Sequence, residues 1–64
     1  MRFRVSVVLA EPKSKGEEYA VVYRGAMRTI PFKTVITVFE SLEEVVDFVQ
    51  ENGSFIENIS INSI

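Results

Sequence analysis

Nine carboxylates, seven basic side chains and no histidine or cysteine make up the charged chemistry of this 64-residue chain. Without cysteine there is neither a disulfide framework nor a thiolate metal site. Without histidine, zinc, haem and general-base chemistry lose their commonest ligand or catalyst. What remains is a run of acids, Glu43, Glu44, Asp47 and Glu51, spaced so that a helix over these residues carries them as one ridge. Carboxylates on successive turns of one rigid helix cannot surround a cation with six or more oxygens, so no metal is expected there. The ridge suits a basic protein surface instead. Phe48 lies at its border with the apolar side of the same helix. It either closes the gap beneath the helix or offers an aromatic anchor between the acids. Glu17 and Glu18 are adjacent, so on a strand they point to opposite faces. No serine sits near a usable general base and no glycine-rich phosphate loop occurs. The chain is therefore expected not to be an enzyme and to carry no cofactor.

These side chains need elements to position them. Residues 2–10 alternate, with Phe3, Val5, Val7 and Leu9 on one side, which predicts a strand with one apolar face. The stretch 11–17 (EPKSKGE) is turn chemistry. Residues 18–24 alternate again through Tyr19, Val21 and Tyr23, and pairing Leu9 with Tyr19 gives a hairpin whose apolar sets share a face. Gly25-Ala26 reads as a second turn. Residues 27–39 read as extended, with Pro31 splitting a short piece from a main strand over 33–39, because proline cannot donate to a ladder. There the even positions Ile30, Phe32, Ile36 and Val38 are taken as the apolar set. Ser41-Leu42-Glu43-Glu44 has the form of a capping box. Leu42, Val45, Val46 and Val49 follow at helical spacing, and Asn52-Gly53 ends the helix with glycine at the left-handed position. Residues 55–63 form a last alternating strand.

The expected fold is α+β in two layers. One helix packs on one face of a mainly antiparallel four- to five-stranded sheet, in the order β-β-(β)β-α-β, within a single domain over residues 1–64. The strand–helix–strand segment 33–63 should form a right-handed crossover with its two strands parallel. Ten Val, six Ile and five Phe supply the core, but a chain near this length buries only about 60% of its unfolded surface. A partner would add burial. The other sheet face has nothing to cover it, and on this parity it carries Val8, Ala20, Val22, Val35 and Phe39, rimmed by Arg4 and Arg24. An apolar centre with a charged rim is the pattern of an interface, and a homodimer is the expected occupant. The outward partner site is then the acidic helix, with Glu43, Glu44, Asp47, Phe48 and Glu51.

Charge divides along the chain. Residues 1–39 hold all seven positives and three negatives, a balance of +4. Residues 40–64 hold six negatives alone, leaving −2 overall. Arg2, Arg4, Arg24 and Lys33 on the open face with Phe39 provide an alternative, nucleic-acid binding. The acidic balance and the single aromatic there count against it. No stretch approaches the ~20 apolar residues of a membrane span. The six-residue run 5–10, broken by Ser6, is too short for a signal sequence, so the cytoplasm is the expected compartment. The strand order and the run Phe39-Glu40-Ser41-Leu42-Glu43-Glu44-Val45 resemble the N-terminal domain of HicB-type antitoxins over about residues 2–50. That family's Pro-x-Leu-Pro-Gly segment between strands two and three is absent, as is a DNA-binding tail. The resemblance implies an antitoxin-like regulator. From the residues, the expected function is a non-enzymatic protein-binding module, a homodimeric regulator or inhibitor of the kind found among phage accessory proteins.

Overall fold

The computed structural model describes residues 1–64. Its elements run β1 (Phe3–Leu9), β2 (Tyr19–Tyr23), β3 (Ala26–Ile30), β4 (Thr34–Phe39), α1 (Leu42–Glu51) and β5 (Ile56–Ser63). One helix packs on antiparallel strands, the α+β fold expected, but the strands form two sheets. β4-β1-β5 is a three-stranded sheet, and β2-β3 is a separate hairpin. The expected pairing of β1 with β2 does not occur. β1 is the central strand, bonded to β4 on one edge and β5 on the other. Alternation fixed which face of each strand is apolar, and that left the choice of partner open. β4 and β5 both run antiparallel to β1, so they are parallel to each other, as the crossover requires, with β1 inserted between them.

β1 earns the centre by composition. Val5, Val7 and Leu9 are fully buried, and Val21, Phe39, Val45 and Phe48 complete the core. The register pairs Phe3 with Phe39, Val5 with Thr37 and Val7 with Val35, so the odd positions of β4 share the covered face. This reverses the expected parity. Ile36 and Val38 are exposed on the other face, and Phe32 is exposed in the break before β4. Both parity sets of β4 are apolar, so alternation alone is a tie. Aromatic packing decides it, with the Phe39 ring 5.3 Å from Phe48 and 5.9 Å from Tyr23.

Pro31 splits β3 from β4 as its missing N–H demands. The β2-β3 hairpin closes through Arg24-Gly25, since Tyr23 pairs with Ala26. Both turn residues have positive φ, +51° and +78°, the backbone of a type I′ turn. Ser41 caps α1, its Oγ accepting from the Glu44 N–H at 3.3 Å. The second half of the box is altered. The Ser41 hydroxyl lies 3.5 Å from Glu44 Oε1, to which it donates, while Glu44 Oε2 turns to Arg24. The buried stripe of α1 runs through Val45, Phe48 and Asn52. Leu42 and Val46, expected inside, are about half exposed. Gly53 has no positive φ, so it is not the left-handed terminator. The helix ends without a left-handed residue, at Asn52 with φ −105°, whose carbonyl accepts from Phe55 and Ile56 N–H as the chain turns into β5.

Candidate functional site

Asn52 holds the two sheets together through the helix. Its side chain is completely buried and every polar atom is used. Oδ1 accepts from the Val22 N–H at 2.7 Å, and Nδ2 donates to the Val22 carbonyl at 2.7 Å and the Phe48 carbonyl at 2.9 Å. Val22 is directly opposite Met27, at a position whose main-chain groups point away from β3. The amide therefore pairs with the edge of β2 as a neighbouring strand would. Sequence reasoning read Asn52 only as a helix end. Nothing in its neighbours signals a partner thirty residues away.

The second anchoring point is ionic. Lys33 Nζ lies 2.8 Å from Glu11 Oε1 and 3.9 Å from Glu57 Oε1, joining the 10–18 loop, the start of β4 and the start of β5. The hydrogen bond to Lys33, followed by its charge, holds the Glu11 carboxyl below its ordinary value. The reciprocal hydrogen bond raises the Lys33 ammonium.

Around the hairpin turn, Arg24 Nη2 approaches Glu44 Oε2 at 3.4 Å, and the guanidinium carbon sits 5.3 Å from the Tyr23 ring centre. Hydrogen bonding to Arg24, then to Thr37, lowers the Tyr23 phenol. An open cleft of about 410 Å³ lies between this turn and α1, floored by Phe39 and Phe48 and edged by Glu44, Asp47 and Glu51. The acids expected as a partner site are thus only partly gathered. Glu43 is exposed and is not among the residues lining the cleft. Phe48 is 3% exposed, so it closes the gap beneath the helix and is no surface anchor. No group of three or more acidic residues is disposed to hold a metal ion.

The uncovered face of the three-stranded sheet is the larger feature. Its residues are Arg4, Ser6 and Val8 of β1, Thr34, Ile36 and Val38 of β4, and Asn58, Ser60 and Asn62 of β5, matched across the register. Of the residues expected there, Arg4 and Val8 are in place. Val35 and Phe39 lie on the opposite, covered face for the register reason given above. Ala20 and Val22 belong to the other sheet, and Arg24 to the turn that closes it. The apolar strip is instead Val8, Ile36 and Val38, with Ile36 65% exposed and Val38 41% exposed. Alternation read without a register places the even positions of β4 in the core, which is why the sequence alone does not find this strip. The proposed basic face is also dispersed, with Arg24 at the hairpin turn beside Glu44, and Lys33 bound by Glu11 and Glu57.

No helix is long and apolar enough to cross a membrane. No protein-family model, curated protein or solved structure matches the chain, so its geometry alone bears on what it does.

Proposed function

We propose that the chain is a non-enzymatic protein-binding module of the cytoplasm, a regulator or inhibitor that acts by occupying a partner's surface with its open sheet face. The observation that carries this reading is the strip of Ile36 and Val38 beside Val8, apolar and uncovered by any element of the chain. An exposed aliphatic strip rimmed by a cation (Arg4) and by the Asn and Ser residues of β5 has the anatomy of an interface centre and its polar border. The partner surface is an apolar patch of matching size. Arg4 beside Val38 favours an acid at its edge.

The test is affinity capture from the native host with wild-type chain and with the Ile36→Lys/Val38→Lys double variant, followed by reconstitution with the purified captured protein. Both positions are exposed, so the variant is expected to keep its fold, with stability within about 0.5 kcal/mol per site. The reading predicts a complex that the variant fails to form. A partner that binds both chains equally refutes it. Charge reversal at Asp47 and Glu51 separates the sheet face from the acidic flank, and is expected to leave the complex intact.

A further inference from the structure

We propose that Asn52-Gly53 is a self-modifying site, at which the Asn52 carboxamide is lost as ammonia when the β2-β3 hairpin lets go of the end of α1. Asn52 is the only asparagine in the chain followed by glycine. In that dipeptide the next backbone nitrogen reaches the side-chain carbon with no Cβ in its way. The fold itself does not call for glycine here. Gly53 has no positive φ. A Cβ on it would meet only the Gln50 and Val49 carbonyl oxygens, at 3.7 and 4.0 Å, which is ordinary contact.

The step balances with water as its one co-reactant. The Gly53 nitrogen gives its proton to solvent and attacks Cγ of Asn52, and the Cγ–Nδ2 bond breaks. Nδ2 takes up a proton and leaves as ammonia, and a cyclic imide remains. Water then opens the imide. Cleavage at Cγ gives an aspartate at position 52. Cleavage at the main-chain carbonyl gives an isoaspartyl linkage, in which the backbone runs through the former side chain. Nothing is oxidised or reduced.

Two features of the fold hold this step in check. Oδ1 and Nδ2 are both committed to Val22, and Nδ2 also to the Phe48 carbonyl. Ring closure also needs the Gly53 nitrogen eclipsed with Cβ across the Cα–C bond of Asn52. At ψ 13° it is eclipsed with the Asn52 nitrogen instead. Both must yield together, so the rate is the intrinsic one multiplied by the fraction of chains whose clamp is open. That clamp is also what ties the hairpin down. No main-chain hydrogen bond joins β2 or β3 to the three-stranded sheet, and the Asn52 amide holds the hairpin's main chain at Val22.

The product cannot rebuild the clamp. A carboxylate has no donor for the Val22 and Phe48 carbonyls, and it would stand where Asn52 is 0% exposed. The isoaspartyl form also lengthens the main chain at the turn into β5. Release of the hairpin thus becomes permanent in each chain that reacts, and the site records how often the hairpin opens. The inference is independent of the sheet-face reading.

The test incubates wild type and Gly53→Ala at neutral pH, in buffer and in unfolding urea, and follows position 52 by intact mass and peptide mapping. Asn58, followed by the β-branched Ile59, is the internal control and should stay intact longest. Wild-type Asn52 should react in both conditions, at least about tenfold more slowly when folded. Gly53→Ala should react at least about tenfold more slowly than wild type in urea, where the fold plays no part. Below the unfolding transition the wild-type rate should be flat in urea, as a local opening requires. The purified product should lose amide protection at Val22 and keep it in β1. Equal rates in the folded and unfolded chain overturn the clamp. A rate that climbs with urea from the outset, or an Asn52 that reacts only in urea, assigns the reaction to global unfolding and refutes the hairpin route. Gly53→Ala reacting as fast as wild type removes the attack by Gly53. Full protection of Val22 in the product contradicts release of the hairpin.

Discussion

The buried amide of Asn52 satisfies both main-chain groups of the half-buried Val22, and its removal leaves them without partners. Asn52→Ala is therefore expected to cost about 2–3 kcal/mol, read as a lowered midpoint in urea unfolding. Asn52→Asp should cost at least as much, because an acceptor would replace the donor that faces the Val22 and Phe48 carbonyls. Equal stability of wild type and Asn52→Ala would remove the pairing role. Glu11 and Lys33 set a weaker, pH-dependent contribution. The folded state lowers the Glu11 carboxyl from 4.5, so its share is full above that value and is lost as pH falls through the lowered one. The Lys33 ammonium is raised from 10.5, so its share is full below that value and is lost as pH rises through the raised one. The melting-temperature difference between wild type and Glu11→Gln should be present at neutral pH and vanish in acid. A difference that persists in acid contradicts the pairing.

Among the elements, the hairpin turn carries a strain the sequence concealed. Arg24 occupies a left-handed backbone position, φ +51°, that Asn or Gly adopts more readily. Its ion pair with Glu44 is mostly solvent-exposed, which makes it worth little. Relief of strain should outweigh loss of the pair, so Arg24→Asn is expected to stabilise the fold by about 0.5–1 kcal/mol in thermal unfolding. A lowered stability would show that the contacts of Arg24 with Glu44 and Tyr23 dominate. The elements themselves were legible from alternation, from Pro31 and from the Ser41 cap. Their partners were not. β1 matches β2 in parity as well as it matches β4 or β5, and only the packed aromatics Phe39 and Phe48 break that degeneracy. The stripe of α1 was misplaced for a related reason. Leu42 and Val46 are as apolar as Val45, but the side of the helix that continues to the buried Asn52 is the one that faces inward.

At the scale of the molecule, 39 × 19 × 15 Å, there is one covered layer and one bare sheet face. The expectation of an uncovered apolar face was legible from having only one helix, and Val8 and Arg4 were correctly assigned to it. Its remaining residues depended on a strand register that no single sequence encodes locally. The charge asymmetry now has a location too. Lys33 and Arg24 are engaged by acids of their own chain, and Arg4 is left to the open face. The claim on which the account turns is that Ile36 and Val38 bind a partner. Its most direct measurement is calorimetric titration of the identified partner into wild type and Ile36→Lys/Val38→Lys. The account predicts at least about 30-fold weaker binding by the folded variant, roughly 2 kcal/mol. Equal affinity for the two chains would contradict it.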